Sequence, residues 1–343
     1  MKNTLRMLLI GLLSIGMAAC EKEKENTNGN VQSTGALVLN EGSFGVNNAS
    51  ISALDITSGD IDNQWFQNAN NRGLGNNAQD MVLYQSKVYV TVTESNTLEA
   101  IDPATGISTQ KSMGTLKPRS IAAQDGKLYI SCYTPACVVR VDAASLATED
   151  TCLLGEFHPE GIAIAQGKAF VVSAYNDSYA YDNHLYVIDL NSFSVSSTIE
   201  VGLNPNKVEK INDNKLIVTW TGNYSDVPSG CAIIDANSLT ASTVNHGLTK
   251  GSVYNGKVYG YDAPYGSTTS WLVIDAEGNV SDFPFAVSVD NNPYGININP
   301  ANGDIYIMDA DYSAGGNVYC YKPDGTLRFK AAAAMNPSKL ILL

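Results

Sequence analysis

Short apolar runs of four to six residues recur along the chain in pairs, rich in Val, Ile, Leu and Tyr. KVYV is followed by LEAID, ending at Asp102; KLYI by VVRVD, ending at Asp142; KAFVV by LYVID, ending at Asp189. KLIVT with CAIID ends at Asp235, KVYGY with WLVID at Asp275, and DIYIM with VYCY at Tyr321; an earlier pair, ALVLN with SISALD, ends at Asp55. Runs of this length and composition, bounded by Gly, Asn, Asp and Pro, predict strands rather than helices. The seven end positions lie 40 to 47 residues apart, the period of a four-stranded propeller blade.

Turn chemistry falls where that reading needs it. QDGK at Gln124, NDNK at Asn212, YNGK at Tyr254 and ANGD at Ala301 precede second strands, and Asn-Gly and Asp-Gly suit tight hairpins. KPRS at Lys117, HPEG at His158, NPNK at Asn204, NPYG at Asn292 and NPSK at Asn336 stand between repeats. There proline ends an outer strand and opens an inner one, where its missing N–H is harmless. The first repeat, at Ala36, lacks its innermost strand, and the chain finishes with MNPSKLILL. The expected fold is therefore all-β: a seven-bladed β-propeller of four-stranded antiparallel blades over residues 35–343. The C-terminal strand, Ser338 to Leu343, pairs with the first blade and closes the ring, leaving no open edge between the chain ends.

The first residues break the pattern. MKNTLR is basic, MLLIGLLSIGMAA is apolar, and Cys20 follows directly, which reads as a secretory signal over residues 1–19. EKEKENTNGNVQSTG then has no periodicity and reads as a flexible tether, so that residues 20–34 link a modified cysteine to the propeller. The formal charge of −13 is offset by no basic stripe. Nucleic-acid partners, which demand phosphate-neutralising Lys and Arg, are not expected. Cys132, Cys137, Cys152, Cys231 and Cys320 are scattered and odd in number, unlike a disulfide framework. Cys132 and Cys137 flank one hairpin turn, and either a bridge or a pair of small buried hydrophobes fits them.

Candidate chemistry gathers on one face. In a propeller, the crossing from outer to inner strand and the turn between second and third strands emerge together. The turns are SFGVNN, TESN and YTPA, which are short, then YNDSYAYDNH, TGNYSDVPSG, DAPYGSTTS and DADYSAGGN, which are long and consecutive in the ring. Eight of the 18 tyrosines fall in loops of this face, Tyr133 among them. Tyrosine offers a flat apolar area, a polar tip and few rotors to freeze, which suits a binding surface. The candidate ligand-binding residues are Tyr175, Asp177, Tyr179 and Tyr181 on the fourth blade, Tyr224 and Asp226 on the fifth, Tyr265 on the sixth, and Asp311 and Tyr312 on the seventh. Nearer the axis, just after the inter-blade prolines, are Arg119, Glu160, Asn206 and Tyr294. Strand tyrosines such as Tyr89, Tyr129 and Tyr306, and the aspartates closing the third strands, read as scaffold. His158, His184 and His246 are the only histidines and none has the partners of a triad. DADYSAGGN echoes the opening of a calcium loop, but Cys320 stands where the closing Glu belongs. Hence no enzyme activity, catalytic cofactor or metal is expected.

The repeat "P-x-x-I … G-K-L-Y-V … V-x-V-I-D" resembles the YncE-like seven-bladed propellers over roughly Ala36 to Leu343. SIGMAAC resembles the bacterial lipobox, implying lipidation at Cys20, and the Glu and Lys residues after it resemble the surface-export signal of Bacteroidetes lipoproteins. With LVLNEGSFG at the start, the chain is similar to the surface-layer or DUF5074 lipoproteins of that group. The closest functional resemblance is to the BtuG-type cobalamin-capturing lipoproteins. It implies an outer-membrane protein on the cell surface, with cobalamin (vitamin B12) as ligand and a TonB-dependent transporter as partner. A surface adhesin or glycan-binding propeller and a lactonase-like hydrolytic propeller are the alternative readings.

Overall fold

The computed structural model describes residues 35–264 and 266–343. The leader, Cys20, the tether and Tyr265 lie outside the described residues. Seven four-stranded antiparallel sheets form the blades. In the second blade, Ala78–Tyr84 is innermost, followed outwards by Lys87–Val92, Thr97–Ile101 and Ser108–Ser112. Blades 3 to 7 repeat this order, with inner strands Pro118–Gln124, Pro159–Ala165, Pro205–Asn212, Lys250–Tyr254 and Asn292–Ile298.

The first blade is assembled from both chain ends, as expected. Pro337–Leu342 is its inner strand and pairs antiparallel with Gly35–Asn40, placing Ala36 opposite Leu342 and Val38 opposite Leu340. The seam is tied at both ends, since the Leu343 N–H donates to the Gly35 carbonyl and the Glu41 N–H to the Asn336 carbonyl, both at 3.0 Å. Leu37, Val38 and Leu39 are fully buried, so a paired strand at both edges is required to satisfy the backbone.

One element was not legible in the repeat. The outer strand of the first blade is reduced to Ile61–Asp62, and the chain turns into a short helix, Trp65–Asn70. Its Trp65 and Phe66 are buried against Leu37, Leu39, Ile51, Met81 and Val90, filling the space between the first two blades. Large aromatic burial there outweighs a longer edge strand.

The scaffold assignments hold. Tyr89, Tyr129 and Tyr306 are buried in the blades. The Asp55 carboxylate accepts the N–H groups of Thr57 and Ser58, Asp189 those of Asn191 and Ser192, and Asp235 those of Asn237 and Ser238. These backbone donors hold the three carboxyl groups below the usual carboxylate range. Cys132 and Cys137 face each other across their hairpin, both free and fully buried.

Candidate ligand-binding face

A register shift at the start of the inner strands turns the ring residues toward the axis. In blades 2, 3, 4, 5 and 7, the ladder slips between Ala78 and Asp80, Pro118 and Ile121, Pro159 and Ile162, Pro205 and Lys207, and Pro293 and Gly295. In the first blade Leu39 and Asn40 face Lys339 and Pro337, skipping Ser338. The residue after each inter-blade proline thus falls within a β-bulge, a device that re-aims a side chain. The sixth blade has no such proline, and its ladder runs from Lys250 opposite Tyr261 without a shift.

The loops depart from expectation in two places. In DADYSAGGN, Ala310 is drawn into a strand opposite Asn292 and Gly315 into another opposite Met335, so the tip shrinks to Asp311–Ala314. SFGVNN, expected to be short, belongs to a connection spanning Glu41 to Ala49, as long as the fifth-blade loop from Thr221 to Ser229. The raised loops therefore belong to blades 4, 5, 6 and 1, not to the last four blades in sequence.

Two clusters flank the channel mouth. In the first, the Arg119 Nε donates to Glu160 Oε2 at 2.7 Å, and the Tyr133 hydroxyl donates to the other Glu160 oxygen. Arg119 also lies over the Tyr133 ring, 5.3 Å from its centroid. Burial opposes the guanidinium charge, but Glu160 and the Tyr133 oxygen outweigh it and raise the Arg119 pKa. Burial and the charge of Glu160 push the Tyr133 phenol up. From there an aromatic ladder climbs outward: Tyr133 stacks on His158 (4.6 Å), His158 meets the edge of Tyr175 (5.2 Å), and Tyr175 stacks on Tyr179 (6.1 Å). His158 Nε2 pairs with Asp177 at 3.0 Å, while its buried Nδ1 has no partner among the described residues.

In the second cluster, the Tyr294 hydroxyl donates to Glu41 Oε2 at 2.6 Å, and Tyr312 meets the Tyr294 ring edge-on at 5.7 Å. Lys250 donates to the Tyr294 carbonyl, and its ammonium lies 4.3 Å from that ring's centroid. Burial raises the Tyr294 phenol pKa, and the negative charge of Glu41 adds to it.

The most exposed tyrosines share a backbone feature. Tyr179, Tyr224 and Tyr312 are 78%, 66% and 54% exposed, and their φ angles are 59°, 58° and 66°. The left-handed region is unfavourable for a bulky L-residue, and in this fold it also occurs at scaffold turns, among them Leu146, Phe193 and Leu239. Neighbouring side chains hold the turns. Asn223 Oδ1 accepts the Ser225 N–H at 3.0 Å, Asp311 Oδ1 the Ser313 N–H at 3.2 Å, and Asn176 Oδ1 the Ser178 N–H at 3.0 Å. Each turn thereby lifts its ring into solvent.

The expected residues are distributed accordingly. Arg119, Glu160, Tyr175, Asp177 and Tyr179 are joined in one chain of contacts, and Tyr294 and Tyr312 in another. Tyr181 bridges to Tyr175 across the base of the fourth-blade loop. Tyr224 and Asp226 crown the fifth-blade loop, where Asp226 accepts from Asn223 at 2.8 Å. Asp311 caps its own turn, and Asn206 Oδ1 accepts the Thr219 hydroxyl at 2.8 Å. Glu41, Tyr133, His158 and Lys250 complete the two clusters without having been selected from the sequence. Tyr133 was visible as a loop tyrosine and His158 as the first residue of the HPEG turn between repeats, whereas Glu41 carries no periodic signal.

Beneath the mouth lies a cavity of about 360 Å³, lined by all seven inner strands, among them Asp80, Ile121, Gly161, Lys207, Lys250, Asn297 and Lys339. It is the axial channel. No group of metal-ligating side chains occurs among the described residues.

A ring of seven blades, an open axial channel and a tyrosine-crowned rim define a β-propeller with its candidate site on one face. The chain belongs to the family described as Domain of unknown function (DUF5074), which matches residues 34–334. No curated protein matches in sequence. Among solved structures, the hydrazine synthase of Kuenenia stuttgartiensis is similar, at 17% identity and a TM-score of 0.62 over 76% of this chain and 88% of that one. The computationally designed Ika8 protein is similar at 9% identity and 0.55, over 76% and 88% of the two chains. BamB from Moraxella catarrhalis is similar at 14% identity and 0.50, over 76% of each. At these identities the likeness is one of fold alone.

Proposed function

We propose that this face captures a nutrient, with cobalamin as the ligand, for an outer-membrane TonB-dependent transporter, and that a lipid on Cys20 holds the protein at the cell surface. The observation that carries the reading is the set of exposed tyrosines at left-handed loop tips around the channel mouth. Packing recovers one ring contact for Tyr179, on Tyr175, and one for Tyr312, on Tyr294; a ligand that lies against the remaining exposed faces supplies a reason to present them. Cobalamin is broad, with an apolar corrin plane and many amide arms. Tyrosine faces match the plane, and Arg119, Glu160 and Asn206 offer hydrogen bonds to the arms. The ligand, the transporter and the cell-surface location come from the resemblance to BtuG-type and other YncE-like lipoproteins of Bacteroidetes.

Calorimetric titration of the purified protein with cobalamin and with a glycan panel tests the proposal. Saturable heat with cobalamin, insensitive to chelator, is expected. Heat with a glycan alone would transfer the face to the glycan-binding alternative, and no heat with any probe would remove the capture reading.

A further inference from the structure

The channel below the rim contains one cation and one anion with no direct side-chain partner among the described residues, although Lys339, Lys207 and Lys250 lie close enough to the anion, Glu209, to oppose the effect of its burial. Lys339 Nζ pairs with Asp80 at 2.6 Å, and Arg119 pairs with Glu160 at 2.7 Å. Lys250 is placed by the Tyr294 carbonyl and ring, with Glu41 on the same tyrosine. Lys207 and Glu209 remain. They stand two positions apart on the inner strand of the fifth blade, and both line the cavity. In a strand this spacing puts both side chains on one face, about 6.6 Å apart at the backbone. Among the described residues, neither the Lys207 ammonium nor the Glu209 carboxylate has an ionic or hydrogen-bonding side-chain partner, and the two are not paired with each other. Ser338 Oγ, on another lining residue, is also buried without a partner.

We propose that the axial channel is a second binding site, for a small zwitterion of the α-amino-acid class, whose carboxylate meets Lys207 and whose ammonium meets Glu209. Charge complementarity selects this class. A bare anion beside Lys207 would stand against Glu209 and Asp80, and a bare cation beside Glu209 would stand against Lys207, Lys250 and Lys339; like charges so placed are costly. A molecule with both charges meets each with its opposite, and a cavity of about 360 Å³ has room for one amino acid with solvent. Burial raises the Glu209 pKa. An ammonium set against its carboxylate would offset that burial, as opposite charges do. The apolar Ile162 and Ile296, also in the lining, are available to the ligand's side chain.

The test is a thermal-shift screen of the purified full-length protein against each protein amino acid at millimolar concentration, then calorimetry with any amino acid that stabilises. The same calorimetry is run with that compound's deaminated and decarboxylated analogues. At least one amino acid is expected to raise Tm, and each half-charged analogue to bind about tenfold or more weakly. Lys207→Met and Glu209→Gln should each weaken binding to a similar extent, whereas Tyr224→Gly, on the rim, should leave it unchanged. Circular dichroism melts of the variants check folding, and Lys207→Gln provides a second variant should the methionine fail to fold. Overturning results are the absence of any stabilising amino acid, equal binding of the deaminated analogue (a plain anion site), or loss of binding in the rim variant with retention in both channel variants. None of these bears on whether cobalamin binds the rim.

Discussion

Single residues carry the case for function where their conformation runs against their chemistry. A tyrosine in the left-handed region costs roughly 1–2 kcal/mol, and glycine at the same place costs almost nothing. Tyr224 makes this trade visible because it is exposed and lies at φ 58°. Tyr224→Gly should unfold at the same temperature as the wild type or slightly above it, while affinity for the rim ligand falls; scanning calorimetry and titration separate the two. A matching fall in both would make Tyr224 a packing residue. Lys250 gives a pH signature. Burial pushes its pKa down from 10.5 to about 8, against the pull of Glu41. A lysine whose folded pKa lies below its unfolded one carries its full cost below the lower value, and the cost is relieved as pH rises between the two. The stability difference between wild type and Lys250→Met should therefore be flat below pH 8 and move in favour of the wild type from about 8 to 10.5. A difference that stays level through that window would mean an ordinary lysine.

At the scale of elements, the fourth-blade loop divides into a base and a tip. Its base belongs to the fold: the His158 N–H donates to the Tyr175 carbonyl at 2.8 Å, the Asp182 N–H to Ala174 at 2.8 Å, and Tyr175 bridges to Tyr181. The tip, Asn176 to Ala180, holds Asp177 and Tyr179 in solvent. Replacing the tip by Asn-Gly retains the bridge with a two-residue hairpin turn. Thermal unfolding should shift by no more than about 2 °C, and ligand affinity should drop about tenfold through loss of the Tyr179 ring and the Asp177 partner of His158. Unchanged affinity would assign the ladder to loop packing.

Across the whole molecule, the ring stands or falls with its seam. Deleting Pro337 to Leu343 removes the inner strand of the first blade with its buried Leu340, strips the ladder from Gly35–Asn40 and uncovers Ala36, Val38 and Met308, which cluster with Leu340. Cooperative unfolding should be lost or Tm should fall steeply; a truncation that melts like the wild type would contradict closure by this strand. The anchor is testable at the same scale, since Cys20→Ala should release the protein from the membrane fraction, acyl chains being the only attachment proposed.

The sequence by itself determined the architecture, because propeller blades are local. Each strand pair and its turn falls within 40 to 47 residues, and NPSKLILL completes an incomplete first repeat. Two things escaped this periodicity: the helix Trp65–Asn70, set by aromatic packing between two blades, and the lengths of two loops. DADYSAGGN lost its ends to pairing with Asn292 and Met335, and the first loop grew because Ala49 is held by Gly75 instead of by its own hairpin. The candidate site was legible as residue types and a face, with Tyr175, Tyr179, Tyr312, Arg119 and Glu160 selected in advance. Packing of neighbouring blades decided that Arg119 meets Glu160, and closure of the ring decided the contacts that cross the seam. Glu41 and Tyr294 are 253 residues apart and Lys339 and Asp80 259 apart, and they meet because the chain ends share a blade. Seven inner strands converging on one axis create the channel and leave Lys207 and Glu209 facing it, an arrangement that no local pattern encodes.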